Sequence, residues 1–371
     1  MVEWKKLGEV CEVLRGKRLT KSQLNETEGY PVLHGGSTPM GYYSDYNRKA
    51  NTTVVVNTGN AGSVFFYDKE FWSSDACFSL YPNKGIIDKY LYLYVYGCEK
   101  ILKGKIRAGA MPTIDANTVA SLIIPIPSLE EQERIVGILD TFTASIDNIK
   151  AQIEQRRKQY EHYRNTLLTF NKDDDSVEWK KLGEVCEIKG RIGFRGYTRE
   201  DQVKKGEGAI SLSPGNIENE HMVYRDCTYI SLKKYEESPE IKIYNDDIIF
   251  CKTGSTVGKV AIVKELPCKA TINPQLVVLK NIIVNSKFLY YILGTYKIQS
   301  TVKQLAGVGS VPNISQEKFG NLEFPIPSLA RQQKIVSILD TFEASITNLE
   351  AQLEQRQKQY EYYREKLLTF E

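Results

Sequence analysis

The feature that most constrains this 371-residue chain is that it contains itself twice. Val2 to Val13 returns at Val177 to Ile188 with only the last residue changed, an offset of 175. Pro125 to Phe170 returns as Pro325 to Phe370 at an offset of 200, with about two-thirds of its positions identical. A long internal period of this kind means two copies of one assembly. The order is variable segment, helical segment, variable segment, helical segment, and 200 − 175 = 25 makes the second variable segment 25 residues longer. The boundaries read as a first variable domain over 1–124, a conserved helix over 125–172, a linker over 173–176, a second variable domain over 177–324 and a conserved C-terminal helix over 325–371.

The helical copies carry a definite period. Leu139, Phe142, Ile146, Ile149, Ile153, Arg156, Tyr160, Tyr163, Leu167 and Phe170 are spaced alternately three and four apart. Leu339, Phe342, Ile346, Leu349, Leu353, Arg356, Tyr360, Tyr363, Leu367 and Phe370 repeat the pattern. Such spacing keeps one seam facing a partner helix, as in a coiled coil. Pro127-Ser128 and Pro327-Ser328 supply a stop and an N-cap, so each helix is expected to run about 40 residues, or ~60 Å. A seam of this kind needs cover, and the economical partner for one copy is the other. Arg156 and Arg356 interrupt the seams at the same place, either as side chains that keep their heads in water or as polar devices that fix register.

Charge is informative by segment. The total of 49 Lys and Arg against 46 Asp and Glu is nearly balanced, but residues 1–124 carry +3 and 177–324 carry +4, while the helices are near neutral. That surplus is too small to name nucleic acid, whose partners usually have a domain pI above ~9. Its clustering in glycine-rich loops says more: Arg15, Lys17 and Arg18 around Gly16; Lys103, Lys105 and Arg107 around Gly104; Lys189, Arg191 and Arg195 around Gly190. Glycine lets a backbone approach a phosphate closely, and Arg and Lys neutralise phosphates or read guanine edges. Ordinary solvated loops remain the bland reading of any one of them.

Each variable segment reads as α+β. Thr53–Val56 and Val64–Tyr67 in the first, with Ile248–Cys251 and Val260–Val263 in the second, are β-rich runs beside turn clusters. Lys89–Tyr96 alternates strictly and alone would read as a strand, but its counterpart Lys287–Leu293 does not alternate, so both are expected to be helices. A basic, glycine-containing loop follows each, and then a Pro-x-Ile step, Pro112-Thr113-Ile114 or Pro312-Asn313-Ile314. Thr253, Ser255, Lys259 and Lys303 complete the candidate contact residues of the second segment.

Catalytic constellations fail one by one. Gly254–Val260 looks like a phosphate loop but is one residue short between its glycines, with Val260 where the magnesium-holding hydroxyl belongs. Asn273-Pro274-Gln275-Leu276 lacks the second proline and the aromatic of an adenine methyltransferase loop. His34, His162 and His221 are widely spread, and the seven cysteines are odd in number with no C-x-x-C pair, so no metal-ligand spacing appears and buried thiols are the expectation. With no apolar stretch near ~20 residues, the chain is expected to be cytoplasmic.

Paired variable domains divided by near-identical long helices, each opened by Pro-Ile-Pro-Ser-Leu and then Gln-x-x-Ile-Val-x-Ile-Leu-Asp, resemble the specificity subunit of type I restriction-modification systems. The Leu7-Gly8-Glu9-Val10 and Leu182-Gly183-Glu184-Val185 openings of the variable domains belong to the same resemblance, which covers the whole chain. It implies an α+β fold of two globular α/β target-recognition domains separated by two antiparallel coiled-coil helices in a pseudo-two-fold, circular repeat. It also implies that each domain reads one half of an asymmetric bipartite site on double-stranded DNA, and that the coil sets the spacer. Two methyltransferase subunits, with restriction subunits, would assemble on this scaffold. S-adenosylmethionine, ATP and Mg would sit on those partners, leaving this chain non-catalytic and without a cofactor. One departure is in the first domain, where Ala108-Gly109-Ala110-Met111 stands for the more family-like Gly307-Val308-Gly309-Ser310-Val311. The rival expectation is a structural adaptor of another oligomeric complex, with an autonomous nuclease more remote.

Overall fold

The computed structural model describes residues 2–370 apart from 37, 108, 110, 192–195, 308 and 310. It divides into two compact units, Met1–Ala151 with Glu350–Glu371, and Gln152–Leu349. The two long helices, Leu129–Leu167 and Leu329–Leu368, have 39 and 40 residues, the length the seam predicts. Their starts are fixed by Ser128, whose Oγ accepts from Glu131 N at 3.3 Å, and by Ser328, whose Oγ accepts from Arg331 N at 3.4 Å.

Unit 1 therefore holds the first variable domain with the front of the first long helix and the back of the second. Phe142 stacks on Tyr363, ring centroids 5.2 Å apart and planes 29° from parallel. Unit 2 holds the reciprocal pieces, and its Tyr163 stacks on Phe342 at 5.1 Å and 28°. The offset of 200 converts one pair into the other, so within each unit the helices run antiparallel and the same ring pair locks them. Each seam arginine is half-buried with its guanidinium over the facing ring, Arg356 on Phe142 at 5.6 Å and Arg156 on Phe342 at 5.9 Å. The arginines thus cover apolar surface while lending a cation–π contact, nearer to the first of the two sequence readings.

Each unit ties its variable domain to its coil in the same way. In unit 1 Glu3–Lys6 pairs antiparallel with Ile123–Ile126, and in unit 2 Val177–Lys181 pairs with Glu323–Pro327. Gln132 is fully buried and spans the joint: Oε1 accepts from Ile87 N at 2.9 Å, while Nε2 donates to Gly85 O and Pro127 O, both at 3.0 Å. Gln332 does likewise in unit 2, accepting from Asn285 N at 3.0 Å and donating to Pro327 O at 2.8 Å. A buried amide with both ends satisfied is a rigid link, because leaving either end unpaired would cost ~1–3 kcal/mol. Lys89–Tyr96 lies in a helix, Asp88–Gly97, whose Tyr90 and Leu93 pack with Ile135 and Leu139 of the coil. Its counterpart is Ser286–Leu293, in a cluster with Ile335, Val336 and Leu339.

The main sheet of unit 1 has the order Cys11–Arg15, Cys77–Pro82, Thr52–Val56, Val64–Tyr67, all antiparallel. In unit 2 Glu187–Gly190, Leu276–Lys280, Ile248–Cys251 and Val260–Ile262 take the same order and sense, and two short strands extend that sheet to six. A further four-stranded sheet in unit 2, Gln202–Val203, Thr228–Ile230, Ala209–Leu212 and Ala270–Ile272, accommodates much of the longer insert. The seven cysteines are free thiols, five of them buried, and burial pushes the Cys11 thiol up to about 12 and those of Cys77 and Cys98 up to about 11. Among the described residues no helix is long and apolar enough to cross a membrane, and no group of His, Cys, Asp and Glu could hold a metal ion.

Candidate nucleic-acid interface

Strand order decides which loops meet. In unit 1 Arg15 lies opposite Phe78 and Val56 opposite Cys77, so the segments leaving Arg15 and Val56 emerge at the end of the sheet where the Cys77 strand begins. There Gly16 N donates to Cys77 O at 3.1 Å, Lys17 N to Ser73 O at 2.9 Å, and Trp72 Nε1 to Lys17 O at 2.7 Å. A Cβ on Gly16 would stand 2.1 Å from Ser74 O, so only glycine permits this approach. Arg48 adds a brace, its Nη2 donating to Arg15 O at 2.9 Å. The consequence is a stiff loop whose Arg15, Lys17 and Arg18 side chains are exposed, Arg15 with its Nε on Asp75 O at 3.0 Å.

A second loop locks onto the same end. Gly59 N donates to Pro112 O at 3.1 Å, and Ile114 N to Asn57 O at 2.9 Å, so the Pro-x-Ile step is held against Asn57-Thr58-Gly59. Arg107 is bridged to Thr113 and thereby joins the group; its guanidinium pairs with Asp115 at 2.6 Å. The Asp115 carboxyl, capped first by Thr118 N–H and facing Arg107, is held below the usual carboxylate range. Lys103 pairs with Glu99 at 2.6 Å along its own helix, and Lys105 is exposed.

Unit 2 builds the same platform from different side chains. Gly254 N donates to Pro312 O at 2.8 Å and Ile314 N to Lys252 O at 2.9 Å, matching the bonds at Gly59 and Ile114 one for one. Thr253, Ser255 and Lys259 lie on this loop and its strand; Lys259 Nζ donates to Ile217 O at 2.8 Å, and Lys303 is exposed on the helix before the Pro-x-Ile step. The stretch that looks like a phosphate loop does not fit a nucleotide. Its amides are spent internally, Val257 N on Gly254 O, Gly258 N on Cys251 O and Lys259 N on Thr256 O, at 3.0, 2.9 and 3.2 Å, so none of these three is left to cradle phosphate.

The family model of the type I restriction modification DNA specificity domain matches residues 1–156 and 175–358. The chain belongs to this family. Similar proteins include the Escherichia coli type I restriction enzyme EcoR124I/EcoR124II specificity subunit, 29% identical over 391 residues that cover 100% of this chain and 94% of the relative. A putative type I restriction enzyme specificity subunit of Haemophilus influenzae is 28% identical over 391 residues, covering 100% and 96%. The fold is also that of the type I restriction-modification S subunit from M. genitalium, with a TM-score of 0.63 at 18% identity, covering 100% of this chain and 97% of that one.

In this specificity-family chain the sheet ends gather most of the basic residues singled out from sequence, but not all. Arg191 is a correction. It is 7% exposed, with Nε donating to Ile272 O and Nη2 to Thr271 Oγ1, both at 3.0 Å, and its guanidinium lies over Tyr197. Burial pushes its pKa down, and the side chain props the second sheet instead of facing solvent. Lys189 is half-exposed and pairs with Glu187 at 2.7 Å, holding that carboxyl below its usual range. Arg195 lies outside the described residues. Sequence reasoning missed Gln275 and Asn313, whose importance depends on strand order, and the buried Gln132 and Gln332, which were signalled by their identity in both helical copies.

Proposed function

We propose that this chain is the DNA-reading specificity subunit of a type I restriction-modification complex, each variable domain reading one half of an asymmetric bipartite target. The observation that carries the reading is the duplicated platform: one backbone arrangement at the end of each main sheet, fitted with different side chains. Two separate platforms of unlike chemistry suit two half-sites of unlike sequence. The coil, whose seam residues are nearly the same in both copies, is suited to a constant role: fixing the spacer between half-sites and docking two methyltransferase subunits. Restriction subunits would join that assembly. The chain contributes recognition in the cytoplasm, and the partner subunits contribute S-adenosylmethionine, ATP and Mg. The curated relatives named as specificity subunits support this division of labour.

The basic loops then work mainly on phosphates, which position the protein without reporting sequence. Replacing Arg15, Lys17 and Arg18 together by alanine in the assembled methyltransferase complex is expected to weaken binding to all DNA about equally. The slope of log affinity against log salt should fall by about 2 to 3, near one unit for each phosphate no longer neutralised. Fluorescence anisotropy at several salt concentrations measures both quantities. Unchanged affinity and slope would show that this loop does not touch DNA.

A further inference from the structure

The two platforms share a backbone but not the side chains that rise from it, and the difference points to bases as well as phosphates. In unit 2 Asn273 Oδ1 accepts the backbone N–H of Gln275 at 3.0 Å, which turns Asn273 Nδ2 toward Gln275 Oε1, 3.1 Å away. That bond engages the oxygen of the exposed Gln275 amide and turns its Nε2 toward Gly254, 3.3 Å from where a Cβ on that residue would stand. Gly254 has φ +103°, so the position favours glycine and keeps the space beside Gln275 open. Across the same loop Thr253 Oγ1 donates to Asn313 Oδ1 at 2.6 Å, and Asn313 N donates to Ala306 O at 3.1 Å. Asn313 is exposed, yet its backbone and its amide oxygen are both tied down.

Exposed amides ordinarily turn freely, and binding then costs the entropy of stopping them. Here two are stopped beforehand, each with its oxygen engaged and its NH₂ left as the group on offer. Unit 1 has nothing of this kind at the corresponding places. Asn57 N donates to Ala76 O as Lys252 N donates to Gln275 O, so Ala76, buried, stands where Gln275 stands. Thr113 stands where Asn313 stands, since Gly59 and Gly254 hold the prolines just before them.

We propose that Gln275 and Asn313 read a base-pair edge in the half-site of unit 2 by donating from their amide nitrogens. A donor pair suits an edge with adjacent acceptors, and guanine, with N7 and O6 in the major groove, is the base that offers two. The inference rests on the DNA-reading function proposed above. An amide contact to phosphate would weaken every sequence alike; a contact to a base edge changes which sequence is chosen.

The test is the target of the assembled methyltransferase complex on a randomised DNA pool, for the unaltered chain and for Gln275→Ala, Asn313→Thr and Gln275→Glu. The two truncations are expected to relax discrimination about tenfold at one or two positions of a single half-site, leaving the other half-site intact. Gln275→Glu exchanges the offered donor for an acceptor and should move preference away from guanine at its position, an effect that a merely structural side chain would not produce. If the unaltered complex selects a bipartite target and all three variants select the same target with the same discrimination, or lose affinity uniformly, this inference fails and the proposed function stands. If the unaltered complex selects no bipartite target, the proposed function itself fails.

Discussion

Replacing residues 14–122 with the corresponding segment of another family member is expected to change one half of the DNA target completely and leave the other half untouched. The joints explain why. Glu3–Lys6 and Ile123–Ile126 pair with each other outside the exchanged segment, and Leu7 N donates to Leu122 O at 2.7 Å across its mouth. Unit 2 repeats the frame, with Leu182 N on Leu322 O at 2.9 Å. The exchanged segment must keep the features that face the joint: an apolar helix face against Ile135 and Leu139, backbone groups for Gln132, and a strand and apolar side chains to meet the retained Cys11–Val13, Leu7 and Val10. Leu139 is fully buried, and burying a leucine contributes ~1.5–3 kcal/mol, so a donor lacking that face would lose stability before specificity could be judged. Methylation mapping of DNA from cells carrying the exchanged chain reads the outcome. A change in both halves would contradict independent reading by the two domains.

The second large effect concerns distance. Inserting one heptad into both long helices, about Arg156 and Arg356, is expected to keep both half-sites and lengthen the unspecified spacer by two to three base pairs. Seven residues add ~10 Å at 1.5 Å each, close to ~3 base pairs at 3.4 Å. The insertion points fall between the stacked pairs, so the Phe142–Tyr363 contact in unit 1 and the Tyr163–Phe342 contact in unit 2 both survive it. A four-residue insertion breaks the alternation of three and four and should cost stability as well. An active heptad variant that keeps the original spacer would show that something other than the coil sets the distance.

The two long helices were legible in the sequence because their signals are local and given twice. Spacing named the seam, Pro-Ser named the starts, and the second copy settled Lys89–Tyr96, where strict alternation in the first copy argued for a strand. The sheet ends were legible only in part, since glycine beside a basic residue marks a loop but not its direction. Arg191 shows the limit: like Arg15 it stands next to a glycine, though the offset of 175 sets it opposite Gly16, and it is buried against Thr271 while Arg15 is exposed. The burial comes from the strand that carries Thr271 and Ile272 beside Ser211 and Leu212, a non-local pairing that sequence order does not announce. Gln275 was hidden for the same reason. It becomes part of the platform only because Leu276 pairs with Cys251, carrying the preceding turn to Gly254.

The central claim is that one chain carries two independent readers of DNA sequence. Its most direct test is to mix the purified chain with a methyltransferase subunit of the proposed complex and a randomised duplex pool, then sequence the modified molecules. The account predicts two short, unlike specified blocks separated by an unspecified spacer of constant length. Modification at one continuous site, or binding with no sequence preference, would contradict it.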